Sequence, residues 1–222
     1  MKIVLKFLSF SFFMVLFGCN TYITKEEFSP ELYSERPITI LVLPPINNTT
    51  ASDAKEYYST TVSEPLANSG YYVLPIEVVN DILQQEGLFD TETLESIPLQ
   101  KFFEYFGADA VLSVTLEKWD IQFLLTSGSV TVKVSCQLQS THTGKILWYY
   151  DDEISVSTTG ETGGAKGWAG LLVQVLTTAV KTATQSYIPI ARKVNSQIFI
   201  TLPFGKYHSE YDTDKSYQIK KK

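Results

Sequence analysis

The sequence predicts an α+β fold: a single domain whose mixed β-sheet, including an antiparallel meander, is packed by helices. Three observations carry that prediction. Between residues 38 and 107, short β-branched runs alternate with segments of helical periodicity in the order β-α-β-α-α, as in an α/β unit. Between residues 110 and 157 the pattern changes to long alternating runs separated by turn residues, as in antiparallel hairpins. Finally, 44% of the 222 residues are hydrophobic and no segment repeats, which suits one sizeable core.

Taken in order, Ile38-Thr39-Ile40-Leu41-Val42-Leu43 reads as a buried strand. It is stopped by Pro44-Pro45, which cannot extend a ladder. After the loop Asn47-Asn48-Thr49-Thr50, Ser52-Asp53 offers side-chain oxygens to the orphan amides of a first helical turn. The helix should run to about Asn68, with Ala54, Tyr57, Tyr58, Thr61, Val62, Pro65 and Leu66 on its apolar face and Gly70 as its stop. Pro65 lies late enough to shorten it. Tyr71-Tyr72-Val73-Leu74-Pro75 is a second strand. Glu77 to Glu86 is a second helix with Val78, Ile82 and Leu83 inward, and Leu99 to Phe106 a third, closed by Gly107. The meander follows: Ala110–Leu116 continued or paired by Ile121–Leu125, the turn Ser127-Gly128, the alternating strand Val130–Ser140, the turn Thr141-His142-Thr143-Gly144, and Ile146–Ser157. Thr158 to Gly167 is a Gly-rich connector. Leu171, Leu172, Val175, Leu176, Ala179, Val180 and Ala183 form one face of a long helix, and Pro189 starts a last helix ending near Ile200.

The first residues have a different purpose. Lys2 and Lys6 precede an apolar run from Phe7 to Phe17, about half the length a membrane-spanning helix needs. A basic start, a short apolar stretch and a small residue before the cut make a secretory signal. Leu16-Phe17-Gly18-Cys19 resembles a bacterial lipobox, which implies cleavage before Cys19 and acylation of that cysteine. Asn20, where an Asp favours inner-membrane retention, points to the outer membrane facing the periplasm. Residues 1–18 are therefore expected to be a signal peptide, 19–37 a lipidated polar tether, 38–208 the folded domain and 209–222 a solvated polar tail. The membrane is the first partner, reached through lipid on Cys19.

Without residues 1–18, 16 basic residues face 24 acidic ones, a net charge of −8 that argues against a nucleic-acid partner. Cys136 is then the one thiol left, so no intramolecular disulfide can form. Its place in the alternating run Val130–Leu138 reads as a buried strand thiol.

Reaction chemistry is not legible. His142 lies at a hairpin tip and His208 in the last segment, and neither is near a carboxylate cluster in the sequence. Asp151-Asp152-Glu153 lacks the alternate-ligand spacing of a calcium loop, and adjacent strand residues point to opposite faces. Lys166 is followed by Gly167 and Trp168, not by the Ser or Thr of a phosphate loop. No serine sits in a nucleophile elbow. The expectation is a protein that is not an enzyme, with no cofactor and no metal. The pairs Tyr57-Tyr58, Tyr71-Tyr72 and Tyr149-Tyr150 each place one ring inward and one outward, and outward rings suit protein contact.

Several segments carry a resemblance. They are Ile40-Leu41-Val42-Leu43-Pro44-Pro45-Ile46-Asn47; Glu64-Pro65-Leu66-Ala67-Asn68-Ser69-Gly70-Tyr71-Tyr72-Val73-Leu74-Pro75; Gly107-Ala108-Asp109-Ala110-Val111-Leu112 with Trp119; and Leu202-Pro203-Phe204-Gly205-Lys206-Tyr207-His208. In this order they resemble a family of bacterial periplasmic lipoproteins of unknown function, which includes a meningococcal surface lipoprotein studied as a vaccine antigen. The last segment departs from the family's Gly-Pro-Tyr at Lys206. The resemblance implies a fold similar to the amino-terminal domain of TolB and, more loosely, to the curli secretion lipoprotein CsgG and the lipoprotein activator of a peptidoglycan synthase. It implies no catalytic residues. The expected role is protein contact in envelope assembly or export, with other envelope proteins or lipoproteins as partners and a homo-oligomeric state. The alternative is a small-ligand-binding or transporter-accessory lipoprotein with a cleft between the sheet and the Gly-rich connector.

Overall fold

The computed structural model describes residues 22–88, 91–123, 128–157 and 187–220. Cys19, the signal, the Gly-rich connector and the helical face Leu171–Ala183 lie outside the described residues.

A six-stranded mixed sheet forms the centre. Its strands are β2 (Thr39–Val42), β3 (Ile46–Asn47), β4 (Tyr72–Val73), β5 (Ala110–Phe123), β6 (Gly128–Ser140) and β7 (Ile146–Ser157). The spatial order is β4-β2-β5-β6-β7, with β3 also on β5. β2 runs parallel to β4 and β5, while β5-β6-β7 is the antiparallel meander. Of the two alternatives for the segment after Leu116, continuation is the outcome: β5 is one strand from Ala110 to Phe123, with a bulge between Leu116 and Lys118.

Alternation along the meander separates the two faces of the sheet. Val114, Leu116, Val130, Val132, Val134, Cys136, Leu138 and Trp148 point into the larger core. Among the described residues α3 (Ala54–Asn68) and α7 (Ile188–Ile198) pack over it, the latter opened by Pro189 in its first turn. Asn195 ties them, its Nδ2 donating to Thr61 Oγ1 at 2.8 Å. The opposite face begins apolar at Leu41, Leu43 and Val111. There it carries α4 (Ile76–Gln85), α5 (Thr91–Glu95) and α6 (Leu99–Phe106). Further along the meander that face turns polar, with Ser113, Thr115, Ser135, Gln137 and Gln139 only half-buried.

One local expectation changes and another holds. Asp53 sits at the start of α3 with helical φ and ψ and makes no side-chain cap; its carboxylate accepts the Ser52 hydroxyl at 3.0 Å. α3 runs to Asn68 as expected, and Pro65 in its last turn does not shorten it.

The chain ends require a larger correction. In place of a polar tether over residues 19–37, the structure shows β1 (Tyr22–Thr24), α1 (Lys25–Phe28) and α2 (Pro30–Glu35) folded against the domain. In place of a solvated tail over 209–222, a short 3₁₀ turn at Asp214–Ser216 leads into β8 (Gln218–Lys220), which pairs antiparallel with β1. The reason is a buried ionic knot. Lys25 Nζ donates to Asp214 Oδ2 at 3.1 Å and to Leu202 O at 2.9 Å. Asp214 accepts as well from Tyr33 Oη at 3.0 Å and Phe204 N at 3.0 Å. Lys25 also lies 4.4 Å from the centre of the Phe204 ring. Burial, then the Asp214 carboxylate, hold the Tyr33 phenol well above its usual range. A charge pair this deep holds only when its remaining hydrogen bonds are filled, as they are here.

Candidate interaction surface

The segments that carried the family resemblance assemble into two structural devices. In the first, Gly70 and Gly205 cross at van der Waals distance. Gly205 N donates to Ser69 O at 2.7 Å and Tyr207 N to Gly70 O at 3.0 Å. A Cβ on Gly70 would stand 2.3 Å from His208 N, and one on Gly205 2.6 Å from Gly70 O. Gly70 also has φ of +88°, a conformation that favours glycine. Tyr71 Oη closes the device by donating to Pro203 O at 2.8 Å. Residues 205–208 form a turn held by His208 N donating to Gly205 O at 3.0 Å, with Lys206 at its second position.

The second device is built on Asp109. Its Oδ2 accepts from Ile38 N and Thr39 N, both at 2.9 Å, and so joins the start of β2 to the start of β5. Thr141 Oγ1 donates to Ala108 O at 2.7 Å.

His142, which the sequence placed near no carboxylate cluster, lies 3.4 Å from one carboxylate oxygen, Asp109 Oδ1, because the β6–β7 turn folds back over the start of β5. Its ring also meets Phe103, with centroids 4.4 Å apart. Ser140 Oγ accepts from the amides of His142 and Thr143, so the hydroxyl serves the turn. His208 stacks on Phe204 at 3.7 Å and its Nδ1 accepts from Glu210 N. The two histidines serve separate turns. In Asp151-Asp152-Glu153, Glu153 pairs with Lys118 at 3.1 Å, and Asp152 Oδ1 accepts from Glu153 N. Among the described residues no three His, Cys, Asp or Glu side chains gather where an ion would sit.

Cys136 is where the alternation put it. The thiol is 1% exposed and faces Tyr58 Oη at 3.6 Å. Burial pushes its pKa up to about 12, which leaves it a small apolar side chain without nucleophilic use.

The surface that stands out lies over the smaller core. α4 was expected to turn Val78, Ile82 and Leu83 inward, but the buried residues are Ile76, Val79 and Leu83. The helix carries two apolar stripes and one sheet face buries only one, so Val78 is 54% and Ile82 41% exposed. On α6, Phe102 is buried and Tyr105 stays in water, while Phe103 is 41% exposed with its ring against His142. Between the two helices runs a groove of about 440 Å³, floored by Leu83, Leu88, Ile97 and Phe106 and edged by Ile82 and Tyr105. Beside it, a cleft of about 310 Å³ sits where α5 and α6 meet the polar part of the sheet, with Ser113, Gln137 and Gln139 against Leu94 and Phe102. Two of the tyrosine pairs divide as expected, with Tyr71 and Tyr150 buried and Tyr72 and Tyr149 exposed; in the helical pair Tyr58 is buried and Tyr57 is half-buried against the larger core. The second stripe of α4 was visible in its sequence, since five apolar residues among ten exceed what one buried face needs. The Lys25–Asp214 knot, spanning nearly the whole chain, left no local signal.

This fold and these motifs are those of a lipoprotein family. The family described as "Putative lipoprotein GNA1162-like" matches residues 29–202, and the chain belongs to it. A curated relative from Neisseria meningitidis serogroup B, "Putative lipoprotein NMB1124/NMB1162", is 28% identical over 132 residues. The match spans 60% of this chain and 61% of that relative. The crystal structure of lipoprotein GNA1162 from Neisseria meningitidis superposes with a TM-score of 0.51 at 26% identity, covering 65% of this chain and 98% of the other. A PelC dodecamer from Paraburkholderia phytofirmans gives a TM-score of 0.45 at 15% identity, over 75% of this chain and 90% of the other. Among the described residues no helix is long and apolar enough to cross a membrane.

Proposed function

We propose that this chain is an envelope lipoprotein, acylated at Cys19 and held on the periplasmic side of the outer membrane, that acts by binding another envelope protein and not by catalysis. The observation that carries the reading is the apolar face left open by α4 and α6. Ile82 and Tyr105 stand in water at the edge of a groove deep enough to take an apolar side chain, and Val78 is exposed on the same helix as Ile82. Clustered exposed apolar side chains with an aromatic at the rim are the composition of a binding patch. Membership of a lipoprotein family supports the anchor, and Leu16-Phe17-Gly18-Cys19 supplies the residue for it.

A photo-crosslinking amino acid in place of Tyr105, in cells making the full chain, tests this. A discrete adduct with one envelope protein is expected, lost when Ile82 is changed to Asp. No adduct at position 105, or one indifferent to Ile82→Asp, overturns the reading. An adduct with a second copy of the chain makes the face a homo-oligomer interface, the other form of protein contact.

The smaller cleft favours a second reading, a small ligand held by the Ser113 hydroxyl and the Gln137 and Gln139 amides. Gln137→Leu would weaken ligand binding and leave the crosslink at position 105 intact.

A further inference from the structure

We infer that the partner docked on the α4–α6 face presents a cationic amphipathic helix, with its apolar stripe in the groove and its lysines or arginines against the carboxylates of α4. The inference rests on the protein-contact reading and adds to it the chemistry of the partner.

The apolar floor of the groove has charged rims. Ile82 and Glu86 edge it on the α4 side, Lys101 and Tyr105 on the α6 side. Residues four apart share a helix face. Val78 and Ile82 therefore form one row on the outer surface of α4, and Glu77 and Asp81 a second row beside it. All four side chains are exposed. An apolar strip flanked by carboxylates thus continues from the groove over the helix.

These carboxylates are unanswered. From Ile76 to Phe106 the sequence holds one cation, Lys101, and the Glu104 carboxylate engages its ammonium at 2.6 Å. Glu77, Asp81, Glu86 and Glu95 have no ion-pair partner among the described residues. The meander differs, because Lys118 there answers Asp120 and Glu153, and Lys133 answers Glu117. Like charges gathered beside an apolar groove build a local potential that draws in a segment of opposite sign.

The same charges disfavour other occupants. An anionic lipid surface would be repelled. A second copy docking through this face would bring Asp81 and Glu86 toward their own equivalents, as an isologous contact requires. Strand addition does not suit the groove either, because its walls are helices whose backbone groups are bonded within each helix. A helix laid along the groove does suit it, with apolar side chains at i, i+3 or i+4, and i+7. Seven residues of helix rise about 10 Å, which fits within the about 15 Å of the 10-residue α4.

The test places the photo-crosslinking amino acid at Tyr105 of the full chain and irradiates isolated cell envelopes. The adduct peptide, read by mass spectrometry, should carry lysine or arginine at helical spacing beside an apolar stripe. Asp81→Lys and Glu86→Lys should each lower the adduct yield about fivefold in low salt. In 0.5 M salt the native and variant yields should converge. Lys101→Glu should raise the yield, a gain that misfolding cannot produce. Glu56→Lys makes the same charge change on α3, across the sheet, and should match the native chain. An adduct lost with Ile82→Asp but indifferent to Asp81→Lys, Glu86→Lys and Lys101→Glu overturns the cationic helix and leaves the protein contact standing. An adduct peptide that is acidic, or that comes from a second copy of the chain, does the same. The absence of any adduct overturns both readings.

Discussion

The side of the domain where the two chain ends meet and the side formed by α4 and α6 treat their side chains in opposite ways. At the ends, a lysine and an aspartate are taken out of water, and each is answered by partners from distant parts of the chain. On α4 and α6, aliphatic and aromatic side chains that could have been buried are left in water. The first arrangement fixes one geometry; the second leaves surface for another molecule. The difference teaches where stability and function separate: substitutions at the seam should be felt by the fold, and substitutions on the open face should be felt by a partner.

The largest break comes from the knot. Asp214→Ala leaves Lys25 with Leu202 O as its remaining acceptor and no counter-charge, and removing one partner of a buried ion pair costs about 3–5 kcal/mol. Urea unfolding should show the midpoint fall by that much. The double variant Lys25→Met with Asp214→Leu should recover a large part, since apolar replacement of a buried pair is often neutral. A double variant no better than Asp214→Ala would mean that the knot holds the ends by its specific bonds to Tyr33 and Phe204.

The second effect lies in the larger core. Burial raises the Cys136 thiol from 9.0 to about 12, so the unfolded chain loses this proton at lower pH than the folded one. The contribution is complete below pH 9 and is lost as pH rises toward 12, at up to about 1.4 kcal/mol per pH unit. Between pH 9 and 10 the native protein should lose stability more steeply than Cys136→Val, which shares the same ionising tyrosines and lacks the thiol. Parallel curves for the two would mean that the thiol is not enclosed in the folded state.

How much of this the sequence disclosed follows range. The meander was legible because alternation acts between neighbours: Val130 to Ser140 announces its two faces residue by residue. β7 (Ile146–Ser157) and α6 (Leu99–Phe106) fall where turn and cap residues placed them. The phase of α4 was not legible, because Ile76, Val78, Val79, Ile82 and Leu83 support either of two faces and the sheet chose between them. The fold of residues 22–36 and of 209–220 was hidden for a different reason. Each segment alone is too polar to bury much, and only together do Lys25 and Asp214 make burial affordable. Glycines 70 and 205 were visible as turn residues, but their crossing, 135 positions apart, was not.

A smaller effect sharpens the closed side. The turn at Gly205–His208 places Lys206 where proline's fixed φ is preferred, and Lys206 N donates to no backbone acceptor among the bonds that define the turn. Lys206→Pro should raise stability by about 0.4–1 kcal/mol by limiting the unfolded chain. A loss would mean that the turn needs the lysine amide or a φ that proline cannot take.

The smallest expected change in stability is the most telling about the open side. Tyr105 is 78% exposed, so Tyr105→Ser removes a side chain that the fold scarcely buries, and its unfolding free energy should stay within about 0.5 kcal/mol of the native value. If the α4–α6 face is a docking surface, the same variant should still lose its envelope partner, because an aromatic at the rim of an apolar groove contributes mainly to binding. Stability and contact would then separate at one residue, in the opposite sense to Asp214, whose loss unfolds the seam before any partner is involved. A Tyr105→Ser protein that melts early would instead place this face within the fold's own packing, and the contrast between the two sides would fail there.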